Sequence, residues 1–253
     1  MKKTLLLTHE YYPFYGGVGR YCYNLFKNFP QERFCVLTDQ RETDRKAPVI
    51  HSQLLSTFMR PSWVRGANVV QRVIKEKGIE MIFTPHLLPL GTIAYTIGRF
   101  RHIPYIISLH GLDINLALER KSRQALAILN GAKALIVNSE ATKKIDDGLG
   151  LRVPTQVITP YLDENVVRVD EKIRTVLLKK FESRKVILTV GRLVKRKGQD
   201  TVIRALPQVL KEVPDTVYCI VGKGPDRAYL EGLIRELNLG RSVEIIGDVP
   251  DGS

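Results

Sequence analysis

Positively charged side chains cluster in one short segment of the second half of the sequence. Arg192 follows the apolar run 186–191, and three consecutive cations at 195–197 precede a helical pattern that begins near Gln199. Because a helix N-terminus already carries partial positive charge, each cation there costs about 0.3–1 kcal/mol until an anion binds. Arginine bridges two phosphate oxygens and lysine acts as a point charge, so Arg192 and Lys197 are candidate ligands of a diphosphate. A solvated basic turn is the alternative interpretation.

Glycine-rich turns occupy two further junctions between an apolar run and a helical pattern. Gly16 and Gly17 open the first helical pattern, and Gly222 and Gly224 follow the run 216–222. Glycine lets a ligand approach the backbone, and the free amides at a helix N-terminus attract phosphate groups or polar sugars. We therefore expect both turns to face ligands. The alternative for the first turn is a glycine pair that merely starts a helix.

A dinucleotide-binding fingerprint is a competing interpretation of the first turn, with Gly17 and Gly19 as its glycines and Asp39 as the ribose ligand. That fingerprint requires a third glycine or alanine where Cys22 stands. It also requires its first glycine directly after the strand, whereas residues 9–15 intervene here. Nicotinamide or flavin binding is therefore not favoured.

The elements that position these residues are predicted from short apolar runs that alternate with helical patterns. The runs are continuous and rich in Val, Ile and Leu, which is typical of strands covered on both faces, and their order predicts doubly wound units around mainly parallel sheets. The predicted strands are 4–8, 33–38, 80–84, 104–110, 133–138, 155–159, 186–191, 216–222 and 242–247. The predicted helices include 62–77, 115–130, 170–183 and 226–238.

The alternation of predicted strands and helices is interrupted once, between the two halves of the chain. We predict a first Rossmann-like domain at 1–165, a linker at 166–184 and a second Rossmann-like domain at 185–253. The second domain holds only three predicted strands, fewer than a typical domain requires, so we expect it to be truncated. Its sheet should have an unpaired edge and an uncovered apolar face, which lowers independent stability or invites another chain to complete it.

Composition restricts the class of protein. The 253 residues are 44% apolar and carry a net charge of +13, which favours a globular chain with anionic partners such as nucleotide diphosphates, lipid phosphates or nucleic acid. No apolar stretch approaches about 20 residues, and the opening run meets His9 and Glu10 too early for a signal peptide, so we expect a cytoplasmic protein. We expect no nucleic-acid partner, because the sequence contains no recognition helix and no basic stripe interleaved with aromatic residues.

The three cysteines, Cys22, Cys35 and Cys219, are far apart and lie inside apolar runs. Their number is odd and their spacing does not suit a metal ion. We therefore expect buried reduced thiols, with no disulfide framework and no metal site.

A basic amphipathic pattern follows Phe58 and Met59. Trp63 and four later apolar residues recur at helical spacing within 63–74, and arginine and lysine surround them. Such a helix can lie on an anionic membrane, which would make the protein peripheral at the inner face of the membrane. The alternative is a helix that packs its apolar side on the first sheet.

Five motifs lie at the ends of predicted strands, in one order along nearly the whole chain. They are Gly16-Gly17-Val18-Gly19-Arg20, His110-Gly111-Leu112-Asp113, Val137-Asn138-Ser139-Glu140, Gly191-Arg192 with Lys197-Gly198, and Val221-Gly222-Lys223-Gly224-Pro225. Together they resemble the family 4 glycosyltransferases. The resemblance implies a GT-B fold of two facing Rossmann-like domains, the first binding mainly the acceptor and the second mainly the sugar nucleotide.

The resemblance also implies a mechanism and residue roles. It implies hexosyl transfer with retention at the anomeric carbon and without a bound metal or cofactor, the diphosphate being held by Arg192 and Lys197. His110 matches the family histidine that faces the reacting sugar and is the candidate catalytic residue. Read in isolation it would be an ordinary loop histidine, but the adjoining Gly111 and Asp113 favour the catalytic role.

The expected function is transfer of a sugar from a UDP- or GDP-linked donor to a lipid, polysaccharide or small-molecule acceptor. The paired glutamates with which the family contacts donor sugar and ribose belong to a later part of the second domain than this sequence contains. The alternative is therefore a non-catalytic remnant or a subunit of a split glycosyltransferase.

Overall fold

The computed structural model describes residues 1–12, 16–41, 48–161 and 171–247. Backbone contacts divide the chain into two compact units, Met1–Tyr161 and Leu162–Ser253. The predicted first domain ended at residue 165, and residues 162–170, which include the start of the predicted linker, lie outside the described residues.

The first unit contains a seven-stranded sheet in which every pairing is parallel. Its strand order is β3-β2-β1-β4-β5-β6-β7. The strands are β1 Thr4–Leu7, β2 Phe34–Thr38, β3 Val49–His51, β4 Met81–Thr84, β5 Tyr105–Leu109, β6 Ala134–Val137 and β7 Thr155–Val157. The six strands predicted for this half are confirmed to within two residues, and β3 was not predicted.

Helices cover both faces of this sheet. The helices are α1 Gly17–Phe26, α2 Val64–Lys77, α3 Leu90–Arg101, α4 Leu112–Asn130 and α5 Glu140–Gly148. In β1, Leu5 and Leu7 belong to the apolar core formed with α2, α3 and α4, whereas Leu6 belongs to the core formed with α1. Successive residues of a strand point to opposite faces, which explains why the sequence shows a continuous apolar run.

The strand order reverses between β1 and β4. The chain leaves β1 for α1 on one face of the sheet and leaves β4 for α3 on the other face. Ligands of open α/β sheets bind at such a point, outside the carboxyl ends of the strands.

The second unit contains a three-stranded parallel sheet in the order β10-β9-β8. The strands are β8 Lys185–Val190, β9 Thr216–Val221 and β10 Val243–Gly247, and the helices are α6 Glu171–Lys180, α7 Gln199–Glu212 and α8 Arg227–Glu236. In the part of the chain that the structure describes, β8 is an edge strand, and Val186, Leu188 and Val190 are 45%, 59% and 71% exposed. The predicted open edge is thus present among the described residues, but the apolar face is uncovered only at β8, because Val217 and Cys219 of β9 on the same face are buried.

Helix α6 confirms the charged helical segment predicted at 170–183. Lys180 Nζ lies 2.6 Å from Glu244 Oε1 of β10, so the helix is attached to the second unit. At the other end of the unit, α8 stops at Glu236, and Asn238, with φ 56°, is the left-handed residue after the helix. Gly240, two residues further along the chain, does not take a positive φ.

Helix α2 packs its apolar side on the first sheet, as the alternative interpretation required. Ala67, Val70 and Val73 are buried in the core, and Trp63 packs against it. Phe58, in contrast, is 97% exposed, so it protrudes from the surface in front of the helix. No helix among the described residues is both long and apolar enough to cross a membrane.

The three cysteines are free and buried. Burial raises the pKa of each thiol, that of Cys35 to about 11. The prediction that the three cysteines are buried is therefore confirmed.

Candidate active site

His110 lies at the carboxyl end of β5, in a strained turn. Gly111 has φ 82° and ψ −66°, and the Leu112 N–H donates to the His110 carbonyl oxygen at 3.1 Å. These features define a γ-turn of the rare, strained kind, in a backbone region that glycine alone adopts readily. The turn takes the chain directly from β5 into α4 and places the histidine at the strand end.

The Asp113 carboxylate stabilises this turn. Its Oδ1 accepts a hydrogen bond from the His110 N–H at 2.9 Å, whereas Oδ2 is buried and has no hydrogen-bond partner in the described part of the chain. Burial raises the pKa of Asp113, although backbone N–H donors oppose the shift. Burial also lowers the pKa of His110 to about 4, so the imidazole is neutral near pH 7.

Two side chains orient the His110 ring. Ser108 Oγ, fully buried, lies 3.3 Å from Nε2, and the Tyr21 ring packs edge-on against the imidazole with the centroids 5.1 Å apart. The Tyr21 hydroxyl donates in turn to the Ile158 carbonyl at 2.9 Å. Nδ1 makes no hydrogen bond to any described residue, so it is the ring nitrogen that remains for a ligand.

The first glycine turn opens α1. Gly16 is the N-cap residue, with φ −107° and ψ 145°, and no side chain caps this helix end. A Cβ at Gly17 would meet no described residue within 4 Å, so that side of the turn is open as far as the described residues extend. Gly19 differs, because a Cβ there would lie 3.3 Å from the backbone of Glu10 and Tyr11, and it therefore packs the helix on the loop after β1. Ligand contact by Gly16 and Gly17 stays a prediction.

Two further histidines, His9 and His86, lie at the same edge of the sheet as His110. His9 follows β1 and His86 follows β4, and their ring centroids are 5.3 Å apart. His9 Nδ1 lies 3.0 Å from both carboxylate oxygens of Asp39, which follows β2. Burial lowers the pKa of His86 to about 3, with smaller contributions from His9 and His110.

Sequence reasoning missed this pair, although a signal was present. His9 and His86 stand one and two residues beyond the predicted strands 4–8 and 80–84, and the carboxyl ends of parallel strands meet at one edge. The sequence had considered Asp39 only as a ribose ligand, whereas the structure pairs it with His9. Within the described ranges, no three His, Cys, Asp or Glu side chains are arranged as a metal site.

The cationic turn has the predicted position between a strand and a helix. Lys195–Lys197 form a single 3-10 turn after β8, Gly198 adopts φ 70°, and α7 begins at Gln199. The Gln199 side chain donates to the Arg192 carbonyl at 3.1 Å and so ties the two ends of the turn together.

The four cations of this turn are exposed. The side chains of Arg192, Lys195, Arg196 and Lys197 make no hydrogen bond or ion pair with another residue that the structure describes. Asp200 in the first turn of α7 is the acidic residue nearest in sequence. The turn therefore presents unneutralised positive charge at a helix N-terminus, which is the arrangement that binds phosphate.

Gly222 and Gly224 lie against this turn. A Cβ at Gly222 would overlap the Gly191 carbonyl, and one at Gly224 would overlap the Leu193 carbonyl. The Leu193 N–H donates to the Lys223 carbonyl at 3.0 Å, which holds the two turns together. Close backbone packing thus explains both glycines, and their contact with a ligand stays a prediction.

Family models match almost the whole chain. Residues 15–165 match the model described as Glycosyltransferase Family 4, and residues 170–253 match the model described as Glycosyl transferases group 1. The chain belongs to glycosyltransferase family 4. The resemblance inferred from the five sequence motifs is thereby confirmed.

Solved structures show the fold of this family 4 glycosyltransferase chain. Anabaena Alr3699/HepE in complex with UDP and glucose superposes with a TM-score of 0.78 at 23% identity, over 99% of this chain and 70% of that one. WaaG, a glycosyltransferase involved in lipopolysaccharide biosynthesis, gives a TM-score of 0.66 at 16% identity. The predicted GT-B-like class, with two Rossmann-like units, is confirmed.

Curated relatives of this family 4 chain include mannosyltransferases. A GDP-mannose-dependent alpha-(1-6)-phosphatidylinositol monomannoside mannosyltransferase of Mycolicibacterium smegmatis is 28% identical over 188 residues, covering 73% of this chain and 49% of that protein. The protein of the same description from Mycobacterium tuberculosis is 24% identical over 98% of this chain and 68% of its own length. The chain thus spans about half to two thirds of these relatives.

Proposed function

We propose that this chain takes part in hexosyl transfer from a UDP- or GDP-linked donor to a hydroxyl group of a lipid, polysaccharide or small-molecule acceptor. The observation that carries the proposal is the exposed cationic turn before α7, in a chain that belongs to a glycosyltransferase family. The M. smegmatis relative is described as GDP-mannose-dependent, and HepE was crystallised with UDP, so both nucleotides are candidate donors.

The second unit binds the donor in this proposal. Arg192 spans two oxygens of the diphosphate, Lys197 adds a point charge, and the amides that open α7 contribute their dipole. When the sugar–phosphate bond breaks, negative charge grows on the departing diphosphate, and preorganised cations stabilise it. Departure assisted by these side chains, without a metal ion and with retention at the anomeric carbon, is part of the proposal.

The first unit binds the acceptor and supplies His110. The imidazole is neutral because burial lowers its pKa to about 4. A neutral ring neither repels the positive charge that develops on the sugar nor needs a counterion, and its Nδ1 can hydrogen-bond a sugar hydroxyl. The γ-turn at Gly111 and the Ser108 contact fix the direction of that hydrogen bond.

A peripheral membrane contact is the second part of the proposal, with the protein at the inner face of a membrane. Phe58 is 97% exposed and Met59 45% exposed, and Arg60 and Arg65 beside them are also exposed. Exposed apolar side chains flanked by arginine are typical of surfaces that bind anionic membranes. Such a contact would bring a lipid acceptor to the first unit.

A remnant or subunit of a split glycosyltransferase is the competing function. The specific observation in its favour is the open edge of β8, which another chain would complete by adding a parallel strand. The two functions differ in turnover: the enzyme releases nucleotide from a sugar nucleotide in the presence of acceptor, and the remnant binds without turnover.

Calorimetric titration with UDP and with GDP tests the donor site. Loss of one charge-assisted hydrogen bond costs about 1.5–3 kcal/mol, so Arg192→Ala and Lys197→Ala should each weaken binding roughly 10- to 100-fold. Lys211→Ala is the matched control, because it removes one exposed charge from the last turn of the same helix. Equal effects of all three variants, or no binding by the unaltered chain, would refute the proposal.

Release of UDP from UDP-glucose and of GDP from GDP-mannose, with and without EDTA, tests the chemistry. The enzyme proposal expects turnover that EDTA does not abolish and that His110→Ala lowers without weakening UDP or GDP binding. Nucleotide binding with no turnover would favour the remnant.

A further inference from the structure

We infer that the loops after β1, β2 and β4 form a subsite for two adjacent hydroxyl groups of a sugar or cyclitol ring. His9 Nε2 accepts a hydrogen bond from one hydroxyl, and His86 Nδ1 donates a hydrogen bond to the other. The inference rests on the proposed function, because this ring belongs to the acceptor.

Asp39 determines which nitrogen of His9 can accept. Both carboxylate oxygens of Asp39 lie 3.0 Å from Nδ1 of His9. A carboxylate only accepts hydrogen bonds, so Nδ1 of His9 carries a proton, and a ring with a single proton then has its free lone pair on Nε2. The carboxylate thus turns Nε2 of His9 into a hydrogen-bond acceptor.

The backbone of His9 determines the tautomer of His86. The His9 N–H donates to Nε2 of His86 at 3.2 Å. The Thr8 hydroxyl oxygen lies 3.1 Å from the same nitrogen, but its proton is donated to the Glu10 carbonyl at 2.8 Å. A backbone N–H can only donate, so the His9 contact assigns the lone pair of the neutral His86 ring to Nε2 and the proton to Nδ1 in the inferred subsite. Burial keeps the ring neutral, because it lowers the pKa of His86 to about 3.

The two remaining nitrogens are open to a ligand. Neither Nε2 of His9 nor Nδ1 of His86 has a hydrogen-bond partner among the described residues, and neither is one of the buried polar atoms that lack a partner. The rings lie 5.3 Å apart at the point where the strand order reverses. In the inferred subsite, this acceptor and this donor, which follow the neighbouring strands β1 and β4, bind the same ligand.

This combination selects the class of ligand. Phosphate only accepts hydrogen bonds, so with a singly protonated His9 ring it would meet the lone pair on Nε2, and the negative charge of Asp39 lies beside that ring. A metal ion would meet the N–H of His86 instead of a lone pair. Neighbouring hydroxyl groups fit both atoms, since each hydroxyl donates one hydrogen bond and accepts others.

Nuclear magnetic resonance of the histidine rings of the 253-residue chain tests the subsite. Nitrogen-15 spectra should show His9 and His86 as Nδ1–H tautomers. Titration with myo-inositol or methyl α-D-mannopyranoside should shift Nε2 of His9 and Nδ1 of His86, whereas cis,cis-cyclohexane-1,3,5-triol, which has no adjacent hydroxyls, should shift neither. The opposite tautomer of either ring, or equal shifts with the triol, would overturn the inference.

Variants provide a second readout. His9→Phe keeps a flat ring but removes the acceptor, and Asp39→Asn removes the negative charge that holds the proton on Nδ1. Each should weaken myo-inositol binding about tenfold, the effect of losing one hydrogen bond to a constrained partner. His102→Asn is the matched control, because His102 is exposed, has φ 56° and lies at the end of α3, and asparagine tolerates that conformation.

A parallel titration with UDP and GDP separates the two proposals. Nucleotide binding that survives while myo-inositol fails to bind refutes the subsite alone. Failure of nucleotide binding refutes the donor site of the proposed function, and loss of myo-inositol binding in His102→Asn as well would mean that the effect is not specific to the pair.

Discussion

Substitution of Gly111 by alanine tests the strained turn beside His110. The added Cβ would lie 3.5 Å from Thr142 Oγ1, an ordinary contact, so the cost comes from the backbone alone. A non-glycine residue held at φ 82° and ψ −66° costs about 1–3 kcal/mol. Gly111→Ala should therefore lower the free energy of unfolding of the first unit by that amount, or break the hydrogen bond from the Leu112 N–H to the His110 carbonyl.

Urea unfolding followed by circular dichroism measures this change. Gly148→Ala is the matched control, because Gly148 ends α5, has nothing within 4 Å of its Cβ position and has no positive φ, so alanine should leave stability unchanged or raise it slightly. Calorimetry with UDP or GDP should give the same affinity for both variants, since the donor site belongs to the second unit. Equal unfolding curves for Gly111→Ala and Gly148→Ala would refute the strain at the His110 turn.

Three further predictions concern pH, the membrane contact and the open sheet. The pKa values of His110 and His86 are lowered to about 4 and about 3, below the unfolded value of about 6.5. The stability they confer is complete above pH 6.5 and is lost as the pH falls toward those values. Urea unfolding should thus lose on the order of 1 kcal/mol per histidine between pH 7 and 5, and a flat profile would contradict it. Phe58→Ser should weaken binding to phosphatidylglycerol vesicles about tenfold, whereas Phe100→Ser, which removes another exposed aromatic ring, should not; equal effects would remove Phe58 from the contact. Leu188→Lys on the open face of β8 should reduce self-association in sedimentation experiments, whereas Val213→Lys at the end of α7 should not, and unchanged association would exclude that face.

The fold class followed from the sequence because the sheets are buried on both faces. In a strand such as β1, Leu5 and Leu7 lie in one core and Leu6 lies in the other. The sequence therefore shows a continuous apolar run, which predicts a buried strand. The edge strand β3 has only three partly buried or exposed residues and leaves no such signal. Its hydrogen bonds with β2 define it, and those depend on tertiary contacts.

Helix α3 has a weak local signal in the sequence for a different physical reason. It contains Gly91 and Gly98, which lower intrinsic helix propensity. A Cβ at Gly91 would lie 3.1 Å from the His86 carbonyl, and one at Gly98 would lie 2.9 Å from the Tyr105 ring. The glycines are explained by close packing of this helix on the sheet, which local propensity does not register.

The candidate site was only partly predictable. His110 and the cationic turn each follow a recognisable strand, so their position at a sheet edge could be inferred from local pattern. The partnership of His9, Asp39 and His86 depends on the order β2-β1-β4, which brings together residues that are remote in sequence. Gly222 and Gly224 were interpreted as ligand-facing from the sequence. The structure shows in addition that the Gly191 and Leu193 carbonyls lie against them, and these contacts could not be inferred from local pattern.

The central claim is that the turn before α7 receives the diphosphate of a sugar nucleotide. Hydrogen–deuterium exchange of the 253-residue chain, with and without saturating GDP or UDP, tests it most directly. The account predicts slower exchange of the amides from Arg192 to Asp200, with Lys197→Ala abolishing the protection and Lys211→Ala preserving it. Protection confined to other segments, or protection that Lys197→Ala leaves intact, would contradict the claim.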